Sequence, residues 1–309
     1  MSPPLRRRAF LRALSGTLAA KVLAAPVWAG AADQAPPARR ATRIVALDFG
    51  LAETLIEIGR PAIALPSLDE WAQWVVEPAL PAGTLNLGAD REPNLELLAA
   101  LRPDLIVSTP YLNAIRPLLA PLAPTLTFSV YAPPPGDIYA RSIAATRELA
   151  LALGETDAGE HLIDRTRTKM EETRRDLAAC GLGGQKLLVV NILDPRHVRV
   201  YGTASLFGGV LERCGLVNGW QRPTNFWGFS TVGVEALAAS PSSRLLCLEP
   251  IPADTLDTLA ASPLWASLPF VKAGRIHRLP PVLMFGMLPS AMRFAREISR
   301  ALQGVSCDG

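Results

Sequence analysis

The sequence predicts two α/β lobes joined by a single long helix, with a ligand cleft between the lobes. Three observations point there. Short apolar runs alternate with helical stretches from residue 42 onward, a long helical pattern interrupts that alternation near the middle, and one short unit recurs on either side of it. Alternating strands and helices build largely parallel sheets covered by helices. At 309 residues the chain is long enough for two such cores, and a hydrophobic content of 49% excludes intrinsic disorder.

In the first half, residues 43–47 read as a strand, 51–58 as a helix closed by Gly59, and 62–65 as a strand. Residues 94–101 then read as a helix, 104–108 as a strand, 111–122 as mostly helical and 126–129 as a strand. Pro133-Pro134-Pro135-Gly136 stops the pattern, and Asp137 is placed to cap a helical region. That region, 137–181, carries Ile138, Ala145 and Leu149, then Leu162, Ile163, Met170 and Leu177, at helical spacing, with a break expected at Gly154. After Gly181, Gly183 and Gly184, the strand-like run 186–193 opens a second lobe. The lobes are read as 42–136 and 182–309, with one large domain carrying a helical excursion as the alternative. The repeated unit is a short helix with one glutamate, a turn and a buried strand. It comprises Leu95-Glu96-Leu97-Leu98-Ala99-Ala100 before Leu105-Ile106-Val107, and Val234-Glu235-Ala236-Leu237-Ala238-Ala239 before Leu245-Leu246-Cys247. Chance likeness in Ala/Leu-rich sequence is the competing explanation.

The N-terminus reads as an address. Residues 1–31 carry Arg6, Arg7, Arg8, Arg12 and Lys21 and no acid, then a weakly apolar stretch and the small residues Ala29, Gly30 and Ala31. This is the build of a secretory signal, and Lys21 and Pro26 interrupt it too early for a transmembrane helix. Arg7-Arg8-Ala9-Phe10-Leu11-Arg12 resembles the twin-arginine export motif. Cleavage is expected after Ala31, with 32–41 as a flexible tether and the periplasm as destination. Without those five bases, 26 basic groups face 28 acidic ones, so the formal charge of +3 belongs to the leader and no nucleic-acid partner is expected. Cys180, Cys214, Cys247 and Cys307 show no metal-ligand spacing, and no disulfide is expected.

Most enzyme signatures are absent. No G-x-x-x-x-G-K-[ST], G-x-G-x-x-G or H-E-x-x-H occurs, and His161, His197 and His277 stand apart from one another. Gly228-Phe229-Ser230-Thr231-Val232-Gly233 misses a nucleophile elbow because its second glycine comes one residue late. Ser230 or Thr231 as a helix cap is the simpler reading, with an exported hydrolase built on Ser230 as the rival. What remains are aromatics in turn-rich segments: Trp71 and Trp74, Tyr111 after Pro110, and Trp227 in Thr224-Asn225-Phe226-Trp227-Gly228. Any one of them could be core, but aromatics beside Pro, Asn and Gly at strand ends suit the lining of a cleft. Arg91, just before a helix, is either a solvated arginine or a fork of donors for an oxygen-rich ligand.

At these segments the sequence resembles the periplasmic ferric hydroxamate siderophore-binding proteins of bacterial ABC importers. The likeness covers nearly all of the chain after the leader. It is densest at Arg43-Ile44-Val45-Ala46-Leu47, Glu92-Pro93-Asn94-Leu95-Glu96-Leu97-Leu98, Asp194-Pro195-Arg196-His197 and Asn225-Phe226-Trp227-Gly228. The resemblance implies two α/β lobes joined by a long helix. It implies that Arg91 contacts hydroxamate oxygens around ferric iron, that Trp74 and Trp227 pack on the siderophore from either lobe, and that Tyr111 touches it. It also implies that the siderophore holds the iron, so no cofactor and no metal ligand of the protein is expected. Two departures stand in the second lobe: Leu283-Met284-Phe285 replaces an aromatic cluster, and Phe229, with Ser230 next to it, replaces a small hydroxyl residue. These residues are still expected to line the ligand site. Glu96 and Glu235 match the glutamates, one per lobe, that meet the inner-membrane permease of the importer; simple solvation is their alternative. The implied protein is a monomer without enzymatic activity, whose long helix keeps lobe closure small. The rival ligands on the same fold are another iron chelate, haem or a corrinoid.

Overall fold

The computed structural model describes residues 41–306; the leader, the tether up to residue 40 and Cys307 lie outside the described residues. The first sheet contains β1 (Ile44–Ala46), β2 (Ala64–Leu65), β3 (Leu85–Asn86), β4 (Leu105–Ser108) and β5 (Thr125–Thr127). They run parallel in the order β3-β2-β1-β4-β5. The second contains β6 (Lys186–Ile192), β7 (His197–Tyr201), β8 (Val217–Asn218), β9 (Phe229–Gly233), β10 (Arg244–Leu248) and β11 (Ile276–Leu279). Its order is β11-β10-β6-β7-β9, with β8 beside β6. Here β6, β8, β10 and β11 are parallel, whereas β7 pairs antiparallel with both β6 and β9.

That antiparallel corner departs from the alternation read in the sequence. Residues 229–233 form an edge strand, so Ser230 and Thr231 are ladder residues, and the helical turn after them, Val234–Ala239, starts at Gly233. The hydrogen bonds offered by β7 outweigh the local capping tendency of Ser and Thr. The segment 111–122 is likewise divided, into a 3-10 stretch Pro110–Ile115 and a single α-turn Arg116–Leu119.

Alternation along the strands places the cores. Ile44 and Ala46 of β1 and Leu187 and Val189 of β6 share one large buried cluster with the connecting helices and the C-terminal helix. Val45 and Leu47 face a separate cluster behind the first sheet, and Leu188, Val190 and Ile192 face another behind the second. Side chains two apart on a strand share a face, which is why one strand serves two cores. The central cluster is continuous between the lobes.

The helical connection consists of Ile138–Leu153 and Thr156–Ala179, broken at Gly154 as the sequence implies. Asp137 caps its start through the Ala140 amide at 3.0 Å. Gly154 adopts φ +71°, a conformation open to glycine without strain. The second helix then packs back on the first: Arg147 binds Glu160 through two contacts of 2.6 and 3.1 Å, and a Cβ on Gly159 would come 2.5 Å from that of Ala150. After β11 the chain lines the cleft with Leu283-Met284-Phe285 and enters the C-terminal helix Leu288–Ser306, which lies against Thr156–Ala179. Among the described residues no helix is long and apolar enough to cross a membrane.

Candidate functional site: an aromatic cleft between the lobes

A cavity of about 590 Å³ opens between the two sheets, within the usual range for small-molecule sites. Turns at strand ends build it. On the first lobe, Gly88 (φ +82°) and the Gly88–Pro93 bridge project a loop whose tip is Arg91; the Asn86 side chain accepts the Gly88 amide at 2.9 Å. Just past β4, Tyr111 is 44% exposed and lies under the Arg91 guanidinium, 5.1 Å from the ring centre. The helical turn Trp71–Trp74 divides its tryptophans. Trp71 is buried, edge-on to Phe49 and bonded to the Pro78 carbonyl, while Trp74 lines the cavity with its indole N–H on Glu70 at 3.1 Å.

On the second lobe, the Asn225 side chain accepts the amides of Trp227 and Phe229 at 3.0 and 3.2 Å, which fixes the turn that presents Trp227. Gly228 closes the turn at φ +82°, where a Cβ would lie 2.6 Å from the Ser205 amide nitrogen. Only glycine fits there. Trp227 is the hub of the cleft: it stacks on Tyr131 (5.7 Å, 22°), meets Tyr111 edge-on at 5.8 Å and lies 4.9 Å from Phe285. Aromatic faces from both lobes therefore meet across the opening.

Of the residues singled out in the sequence, Trp74, Arg91, Tyr111, Trp227, Leu283, Met284 and Phe285 all line this one cavity. Ser230 does not. Its hydroxyl donates to the Pro223 carbonyl at 2.9 Å, because its place in the ladder points it at the neighbouring loop. Glu96 and Glu235 are exposed, each in the first turn of its short helix, and lie outside the cavity.

Among the lining residues that escaped the sequence reading, three carry chemistry of their own. Tyr131 donates to the Gly286 carbonyl at 2.8 Å and supports the stacked Trp227. Asp48 caps the helix Phe49–Glu57 through the Leu51 amide at 2.9 Å; burial outweighs that bond and pushes its carboxyl up to about 6. Arg199 lies over Phe229 at 4.5 Å and Phe285 at 5.9 Å. A signal for Arg199 existed: in β7 it interrupts Val198 and Val200, so it occupies the face opposite theirs. Below the floor, Glu53 is fully buried and accepts Met287 N and Ser290 Oγ, both at 2.6 Å; burial pushes it up to about 8.

As chemistry, the cleft offers broad aromatic surface, two guanidinium groups and a few carboxylates. No histidine lines it, and among the described residues no cluster of His, Cys, Asp and Glu could hold a metal ion. It can bind and orient a bulky solute with an oxygen-rich face.

Two sheets bridged by helices over such a cleft define a solute-binding protein, and the chain belongs to the family described as "Periplasmic binding protein", which matches residues 44–283. A relative in Escherichia coli strain K12, the iron(3+)-hydroxamate-binding protein FhuD, is 34% identical over 265 residues, covering 85% of this chain and 87% of its own length. The fold is also similar to the crystal structure of the Fe3+-Desferal-bound siderophore-binding protein FhuD from Vibrio cholerae. That match has a TM-score of 0.81 at 26% identity and covers 86% of this chain and 99% of the other. FhuD2 from Staphylococcus aureus with bound ferrioxamine B shares the fold at a TM-score of 0.69 and 16% identity, over 86% of this chain and 99% of that one. The family consists of binding proteins, not enzymes, and the Ser230 hydroxyl is committed to a carbonyl.

Proposed function

We propose that this protein captures a ferric hydroxamate siderophore between its lobes and delivers it to the permease of an ABC importer. The observation that carries this reading is the joint lining of one cavity by Trp74, Tyr111 and Arg91 from one lobe and Trp227 from the other. A ferric hydroxamate presents an apolar backbone around iron-bound oxygens that carry negative charge. Aromatic faces bury the first, and a planar guanidinium donates to the second. Iron then travels as part of the cargo. The relative at 34% identity and the Desferal-bound structure support the hydroxamate class. The absence of histidine from the lining disfavours haem. Glu96 and Glu235 are the proposed permease contacts, the twin-arginine leader the proposed route to the periplasm, and the monomer the proposed working form.

Titrating tryptophan fluorescence with ferric hydroxamates, ferric catecholates, haem and cobalamin tests the ligand class. Hydroxamates should quench at the lowest concentration, since Trp74 and Trp227 both line the cavity. Quenching by any of the others with no response to hydroxamates would sink the proposal.

A further inference from the structure

The charges of the cleft are unevenly divided. Asp48, Glu70, Asp90 and Arg91 line it from the first lobe, whereas Arg199 is the one charged residue that lines it from the second. Arg199 is half-buried, and among the described residues it forms no ion pair. Its Nη1 donates to the Met284 thioether at 3.1 Å, and its Nε is buried without a hydrogen-bond partner. Its other neighbours are neutral: the rings of Phe229 and Phe285, and the Tyr201 hydroxyl, whose pKa burial raises and Arg199 partly restrains.

A half-buried guanidinium is ordinarily matched by a carboxylate, because removing charge from water is costly. Aromatic faces return part of that cost, and a thioether is a weak acceptor. The Arg199 guanidinium is therefore left without a paired carboxylate, and the residue lines the ligand cavity. We propose that Arg199 is a specificity-determining residue that selects ferric siderophores bearing a carboxylate outside the iron's own coordination shell, held against the second lobe. The iron-bound oxygens are assigned to Arg91, 5.1 Å over Tyr111 on the opposite wall, so the two arginines read different parts of one ligand. The inference rests on the hydroxamate reading above and extends it to the charge of the ligand.

The test uses one linear trihydroxamate core, loaded with ferric iron and carrying either a succinylated terminus, which is anionic, or an acetylated one, which is neutral. The wild-type chain should bind the succinylated complex about tenfold or more tightly, the range of one charge-assisted hydrogen bond. Arg199→Met keeps an apolar stem against Phe229 and Phe285; it should bring the ratio of the two affinities close to one. Arg199→Lys, which keeps the charge without the fork, should retain a reduced preference. A structural role alone would weaken both complexes equally, and that result overturns the proposal. So does equal wild-type affinity for the two complexes, or an unchanged ratio in Arg199→Met. Failure of the wild-type chain to bind either complex falls instead on the hydroxamate assignment itself.

Discussion

Arg91 and Trp227 show how turns present the groups that meet a ligand. Arg91 is exposed at a loop tip and forms no ion pair among the described residues, so its donors are free apart from the cation–π contact with Tyr111. A free fork gains most from a charged acceptor. Arg91→Ala should therefore raise the Kd for a ferric hydroxamate about tenfold to a hundredfold. Calorimetric titration of the purified variant checks this, and an unchanged Kd would remove Arg91 from the site. Both arginine and aromatics stood out in the sequence because they neighbour Pro, Asn and Gly, residues that mark turns by their own backbone preferences. Arg199 carried a weaker mark. A single arginine in an alternating strand shows its face, but not what covers that face.

At the scale of elements, the segment Leu283–Phe285 follows the second sheet in sequence yet is fastened to the first lobe. Glu53, in the helix Phe49–Glu57, binds Met287 N and Ser290, and Tyr131 binds the Gly286 carbonyl. Gly50 lets the helix approach closely: a Cβ there would lie 3.1 Å from the Phe285 carbonyl oxygen. Farther along, Glu77 pairs with Arg293 at 2.9 Å and Arg296 at 2.6 Å, tying the stretch after Trp74 to the C-terminal helix. The buried Glu53 carboxyl makes this fastening sensitive to pH. Its ordinary value of 4.5 rises to about 8 in the folded protein. Between those values the folded chain keeps a proton that the unfolded chain has released, so stability falls as pH rises through the window. Asp48 acts in the same sense, but only up to about 6. Buried His277, lowered by desolvation, acts in the opposite sense below its ordinary 6.5. From pH 6.5 to 8 the Glu53 contribution should lower Tm by about 3 °C per pH unit. Glu53→Gln keeps the acceptor for Met287 N without titrating, and should flatten the curve there. Parallel thermal melts of the two proteins decide it; identical slopes would show that Glu53 does not carry the dependence.

For the molecule as a whole, the central core determines how the cleft can move. It joins Ile44 and Leu55 of the first lobe, Leu149 and Leu162 of the connecting helices, Leu187 and Phe207 of the second lobe, and Phe294 and Ile298 of the C-terminal helix in one buried cluster. Close-packed interiors resist sliding, so wide opening would expose apolar surface at roughly 25 cal/mol per Å². Free and loaded forms should differ by a rotation of only a few degrees, adjusted at Trp227 and the turns around it. Crystal structures of both forms would measure the angle, and a rotation of tens of degrees would contradict the shared core. Much of this architecture was legible in the chain: both runs of strands and helices, the cap at Asp137, the break at Gly154 and, apart from Tyr131, the main aromatic positions of the cleft. These rest on periodicity, capping and turn preference, which act over a few residues. The antiparallel placement of Phe229–Gly233, the departure of Ser230 from the cleft, the unmatched charge of Arg199 and the reach of Glu53 to Ser290 were decided by tertiary structure. Each depends on which distant segment covers a given face: Glu53 and Ser290 are 237 positions apart, and Arg199 meets Met284 across 85. Local pattern states that a face is buried. Packing alone determines what it is buried against, and with that the charge and proton affinity of the groups inside.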